Sequence, residues 1–471
     1  MRCSTALGIC LLLLASASCG AHDDGQGRTD CANGLELSDA LVAERTDVEV
    51  LAVVDLDGGA GWVVREARGD RMSLCPDCNE EELPFCGECA HDVVRYEREG
   101  ESVELDRFYA NASYARVLAA TASVDREGDV VVAWQRRLGP SGISPTEARF
   151  ARVSADATEI LAPAVQLYAS EAGRLRLVAH PREPIVLALR DNDVVLSHIG
   201  THVAVVDLDG APLVPWTQLG SSLAHDAGAS EHRDGFVVAF SDQAVDTPDP
   251  DCQPCTTIET CFAGNVVDVT EELPSMGCVA YLEASEAGGL QAVALDASSI
   301  GAPVQIRSGW YDRVYGGEMQ RLYSDHGHAS VVETDAGFAV VADYFGNGTY
   351  ALVRIDVDFT AGAIGERAYA FDLAGTSPTW YALRRVADRD TLFVGLSRLE
   401  DGTPSTALVR ALELDAADAC ASGTLVATYP AALATPLRPD ATRTMSISVG
   451  TWDAAGGAFA RTALHRIAPS R

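Results

Sequence analysis

An all-β ring of seven four-stranded sheets is the fold class that the sequence predicts, and three observations predict it. Short apolar β-forming runs bounded by Gly, Asp and Pro recur along most of the chain, while helical periodicity is scarce. One of these runs, a Gly followed by an aromatic or aliphatic residue and paired valines, returns at a spacing of about 54 residues. The two intervals that exceed this spacing are the ones that hold cysteine-rich stretches, at about 75–89 and 243–288, so the excess belongs to insertions. A β repeat of this length is the size of one propeller blade.

Seven copies are visible. The strong ones are Gly61-Trp62-Val63-Val64, Gly128-Asp129-Val130-Val131-Val132-Ala133-Trp134, Gly235-Phe236-Val237-Val238-Ala239-Phe240 and Gly337-Phe338-Ala339-Val340-Val341-Ala342. The weaker ones are Pro184-Ile185-Val186-Leu187-Ala188-Leu189, Asp390-Thr391-Leu392-Phe393-Val394-Gly395, and Met445-Ser446-Ile447-Ser448-Val449 ahead of Trp452. Blade two shows four strands in order, Val117–Val124, Val130–Gln135, Arg149–Ser154 and Val165–Ala169. A sheet that is apolar on both faces is stable only when neighbours stack on it, so the ring has to close. The last unit ends before an outer strand, and Leu35–Val42 precedes blade one without a blade of its own. That segment is expected to complete blade seven. Over residues 35–470 the pattern resembles secreted propellers of the WD-repeat and kelch-like kind, a resemblance that implies the architecture and transfers no activity. The competing architecture is a pair of β-sandwich domains.

Residues 2–18 read as an export leader: one early positive charge, the apolar run Leu7-Gly8-Ile9-Cys10-Leu11-Leu12-Leu13-Leu14, then small residues up to Cys19. Ser16-Ala17-Ser18-Cys19 resembles the lipobox of a bacterial exported lipoprotein, which implies that Cys19 is lipidated and becomes the mature N-terminus. Residues 19–34 are polar and rich in Gly and Asp, a flexible tether with a reach on the order of 20 Å. The domain organisation expected is therefore a signal peptide at 1–18, a tether at 19–34 and a propeller at 35–471. The location expected is the cell envelope, outer-membrane-anchored or secreted, with membrane contact through the N-terminal lipid only.

Composition removes several function classes. The 471 residues carry 35 basic and 68 acidic side chains, a formal charge of −33, and every basic residue is Arg. A chain without Lys forms no Schiff base with pyridoxal phosphate and has neither a phosphate-loop Lys nor a kinase Lys–Glu pair. Nucleic acid is not an expected partner, because so negative a surface repels phosphates. No Gly-x-Ser-x-Gly elbow and no His-Glu-x-x-His zinc motif is present.

Setting aside Cys3, Cys10 and Cys19, ten of the 13 cysteines remain: Cys31, Cys75, Cys78, Cys86, Cys89, Cys252, Cys255, Cys261, Cys278 and Cys420. In an exported protein this even number is expected to form disulfides, with pairings that the sequence leaves open. The paired C-x-x-C motifs at 75–89 also have the ligand set of a zinc knuckle, although a seven-residue spacer and an oxidising compartment favour disulfides.

Two further groups are candidate sites. Trp310, Tyr311, Trp380 and Tyr381 fall in connections between blades, where aromatics either stack on a sugar ring or peptide or pack between blades. His326 and His328 alternate at the start of an inner strand beside Asp325, and residues two apart on a strand share a face, so they are a candidate metal pair. The Asp55-Leu56-Asp57-Gly58 and Asp207-Leu208-Asp209-Gly210 stretches read as hairpin turns rather than calcium loops. No cofactor is expected. The sequence ranks first a non-catalytic, lipid-anchored binding module for an envelope protein or glycan. An extracellular glycosidase or lyase using channel carboxylates is the alternative, and a purely structural envelope component is third.

Overall fold

The computed structural model describes residues 36–46, 48–68, 91–109, 116–137, 146–170, 174–191, 200–220, 224–248, 279–315, 318–323, 326–334, 337–346, 349–358, 362–370, 376–386, 389–400, 403–414, 424–437, 445–453 and 458–469. They form a seven-bladed β-propeller of four-stranded antiparallel sheets. Blades one to six each use four strands in chain order. Their inner strands are Glu49–Leu56, Arg116–Val124, Arg174–Ala179, His225–His232, His326–Thr334 and Ser377–Val386. Blade seven contains Ala432–Leu437, Met445–Asp453 and Ala458–Pro469, and its outer strand is the N-terminal Leu37–Arg45, paired antiparallel from Leu37–Pro469 to Arg45–Thr462. The expected closing segment is therefore in place, beginning two residues and ending three residues later than its sequence pattern. Consecutive inner strands touch all the way round, including blade seven with blade one.

The repeated run is the second strand of each blade, and its composition follows from its position. In blade five Phe338, Val340 and Ala342 pack against blade four, while Ala339 and Val341 pack against blade six. Period-two alternation between two apolar interfaces gives an almost unbroken hydrophobic run. Seven such interfaces hold the ring, and among the described residues the one between blades seven and one has the fewest buried apolar side chains, Val53, Ala60, Trp62, Val64 and Leu464. Polar contacts reinforce this seam: Asp55, fully buried, takes Arg466 Nε at 3.0 Å and is also bonded to Arg466 Nη2 and Ser446 Oγ. That pairing accounts for Asp55 without calcium.

The inner strands leave one edge unpaired, and backbone N–H groups on such an edge need acceptors. Hydroxyls on the preceding blade supply several. Thr121 Oγ1 accepts from Leu177 N at 3.3 Å, Ser123 Oγ from Ala179 N at 3.2 Å, and Ser330 Oγ from Leu383 N at 2.9 Å. Near their starts, five inner strands also shift register, at Val50/Ala52, Val117/Ala119, His225/Gly228, Gly327/Ser330 and Pro378/Trp380. Bulges of this kind turn side chains out of strict alternation.

Two placements differ from expectation. Trp310 and Tyr311 lie not in a loop but on Trp310–Tyr315, which pairs with Glu318–Tyr323 as a separate hairpin between blades four and five. The second insertion is strand at both margins: Gly235–Pro248 and Val279–Leu295 continue their pairing outward to Pro248–Val279. All thirteen cysteines, and so every disulfide, zinc and lipidation expectation, lie outside the described residues.

Candidate functional site

All inner strands start at the same end of the ring, and there the starts of blades four and five bring acids and histidines together. On blade four the bulge places Asp226 with φ +51°, and on blade five the equivalent bulge places His328 with φ +51°. Left-handed backbone is costly for residues other than Gly, and two instances at matching positions mark a local geometry held by its surroundings. The two strands also approach closely, since a Cβ on Gly228 would collide with the Ala329 carbonyl oxygen.

Asp343 lies on the second strand of blade five, Gly337–Gly346, after the apolar run Phe338–Ala342, and is 5% exposed. Its Oδ2 accepts from Tyr381 Oη at 3.0 Å and pairs with His328 Nδ1 at 3.1 Å. The Tyr381 and His328 rings meet edge to face, with centroids 5.7 Å apart. Blade six thus supplies the tyrosine and blade five the histidine that orient one carboxylate. Opposite stands Asp226 from blade four. A Cβ on Gly327 would collide with Asp343 Oδ1 and stand 3.5 Å from Asp226 Oδ2, so the two carboxylates converge on one glycine. His225 Nε2 is 3.8 Å from Asp226 Oδ2.

The electrostatics follow from this packing. Burial is the largest influence on His328 and disfavours its cation, but the hydrogen bond and charge of Asp343, joined by Asp226, outweigh it and raise the imidazole above its ordinary value. The site is therefore two carboxylates with a histidine held toward its charged form. Next to it, Asp191 accepts from Ala227 N at 2.8 Å and Thr201 Oγ1 at 2.9 Å and pairs with Arg176 at 3.3 Å, fixing the blade-four strand that carries Asp226.

Of the candidates read from sequence, Tyr381 reaches this cluster through its hydroxyl. Trp380 does not: it is 7% exposed, donates from Nε1 to Ala434 O at 2.8 Å, and packs between blades six and seven. Both lie on the inner strand of blade six, not in a connection, so neither presents a ring for stacking. A register shift follows Gly327 on this strand, between Gly327 and Ser330. The His326 side chain lies outside the description, and no group of three metal-ligating side chains occurs among the described residues. Asp207 is a turn acceptor, its Oδ1 bonded to the amides of Asp209 and Ala211. Sequence reasoning missed Asp226 and Asp343. Asp343 carried a signal, as the acid that follows the apolar run Phe338–Ala342 of a second strand, whereas Asp226 on an inner strand carried none.

No known protein family matches the chain, and no curated protein sequence does. Among solved structures it is similar to an α-L-arabinanase of Penicillium chrysogenum, with 12% identity over 92% of this chain and 98% of that one and a TM-score of 0.35. It is also similar to the GH93 α-L-arabinofuranosidase of Fusarium graminearum, with 13% identity, 74% and 93% coverage and a TM-score of 0.39. The AfRom2 CNH domain shows 9% identity, 91% and 98% coverage and the same TM-score, 0.39. At this distance no residue role passes from these proteins to the chain.

Proposed function

We propose that the chain is an extracytoplasmic, lipid-anchored propeller that cleaves a glycosidic bond at the end of the channel where Asp226 and Asp343 meet. The observation that carries this reading is the convergence of those two carboxylates, from different blades, on Gly327. Glycoside hydrolysis needs two carboxyl groups flanking the scissile bond, and a separation of about 5–5.5 Å belongs to the retaining mechanism. Asp343, held by Tyr381 and His328, suits attack on the anomeric carbon, since its orientation is fixed before the sugar arrives. Asp226, whose side chain is 35% exposed, suits the acid–base role, which exchanges protons with the leaving oxygen and then with water. In the first step Asp226 protonates the leaving oxygen while Asp343 bonds to the anomeric carbon. In the second, Asp226 takes a proton from water, whose oxygen displaces Asp343.

This order reverses the ranking drawn from sequence, where binding without turnover came first. The binding reading retains one supporting observation: the Asp343 network is already satisfied by protein donors. A panel of envelope and plant polysaccharides, incubated with the body lacking residues 1–30, separates the two. Catalysis gives released reducing ends that D343N and D226N lower by about 10³-fold while glycan retention persists. Retention without any product leaves a binding module. Neither retention nor product removes the site altogether.

A further inference from the structure

Blade three turns a row of side chains toward blade four, and the first of them is a cation beside the carboxylates already described. Along Arg174–Ala179 the pairing with Ile185–Asp191 runs without a register shift, so Arg174, Arg176 and Val178 share one face. That face looks at blade four. Arg176 donates to Ala227 O, Val178 joins Phe236 and Val238 in one apolar cluster, and His180, just past the strand, donates from Nε2 to Arg233 O at 3.0 Å. One step back from the Arg176–Ala227 contact, toward the strand starts, Arg174 stands beside the His225–Asp226 end of blade four.

Arg174 is exposed, and among the described residues its side chain holds no ion pair or hydrogen bond. The reason lies on the neighbouring strand. Asp191, its cross-strand partner, is already taken by Thr201 Oγ1 at one oxygen and by Ala227 N and Arg176 at the other. The charge of Arg174 reaches as far as His328 on blade five, where it opposes the imidazolium. Around this end of the channel, a free guanidinium on blade three is thus followed by Asp226 on blade four and Asp343 on blade five.

We propose that Arg174 is a specificity residue that binds the carboxylate of a uronic acid, so that the substrate class is an acidic glycan, an inference that rests on the cleavage reading above. With Asp343 at the anomeric carbon and Asp226 at the leaving oxygen, the departing sugar extends past Asp226, on the side where Arg174 stands. The planar fork of a guanidinium matches the two oxygens of one carboxylate, and this fork has no internal partner to give up. The formal charge of −33 does not forbid such a substrate. Charges farther away than a Debye length, about 8 Å at physiological ionic strength, are largely screened, so the groups at the site decide.

The test offers galacturonan, alginate and hyaluronan to the full chain, each beside a form whose carboxyl groups have been reduced to primary alcohols. Reduction keeps the linkages and removes the charge. The wild type is expected to show a kcat/KM about tenfold or more higher on the acidic form of at least one glycan. R174Q brings that ratio close to one, R174K, which keeps the charge without the fork, falls between, and R174E inverts it. Equal cleavage of both forms, or a preference that R174Q retains, overturns the inference and leaves glycoside cleavage standing. If R174Q does not fold, R174K decides, and a ratio unchanged from wild type overturns the inference. If no glycan of either form is cleaved, the cleavage reading fails by itself, and calorimetric titration with the same pairs decides the role of Arg174. Binding of an acidic form about tenfold or more tighter than its reduced form, lost in R174Q, supports it; no such difference overturns it.

Discussion

A carboxylate fastened by a tyrosine and a histidine keeps its direction when a ligand displaces water, and at Asp343 both fasteners act on the same oxygen. Y381F removes one of them with little change in volume. Turnover is expected to fall about tenfold while the fold persists, with a stability cost of about 1 kcal/mol, measured by urea unfolding beside initial rates. His328 gives a pH dependence whose sign follows from linkage. Its folded value is raised above the ordinary 6.5, so its contribution to stability is fully present below that value and is lost as pH rises through the folded one. Unfolding between pH 5 and pH 9 is expected to show a fall that H328Q flattens. These residues were only half legible beforehand. Tyr381 stood out as an aromatic, but an aromatic side chain reads the same in sequence whether it is displayed or packed. Its hydroxyl bond to Asp343 depends on two blades meeting.

Strands were legible because each lies between two apolar neighbours, which writes a hydrophobic run into the chain at every blade. Bulges were not, since one or two extra residues in a pairing leave the composition of a strand unchanged. That is why Asp226 was overlooked. The closeness of the blade-four and blade-five inner strands makes a sharper prediction. G228A drives a methyl group into the Ala329 carbonyl and is expected to cost about 2 kcal/mol or more, read as a lowered urea midpoint, whereas G59A, whose added methyl would meet nothing nearer than Glu99 Oε1 at 3.9 Å, loses much less. The acids that follow the apolar runs of the second strands were visible as letters; only the ring arrangement gives them a common end.

Closure of the ring rests on its thinnest apolar seam, so polar contacts carry more of the load there than elsewhere. D55A strands Arg466, which is 28% exposed, beside a vacated buried position, and is expected to destabilise the molecule by about 3 kcal/mol in chemical unfolding. Removal of residues 1–45 strips the outer strand from blade seven and is expected to yield an aggregating product with an early thermal transition, while removal of 1–30 does not. Architecture was legible at this scale because repeat spacing, insert lengths and an orphan first strand all pointed to the same closed ring. The strand Leu37–Arg45 also has a mechanical meaning. If Cys19 fixes the chain to a bilayer, tension from the surface arrives at Leu37 and is borne first by its bonds to Pro469, so a pull strong enough to matter would begin by peeling the latch.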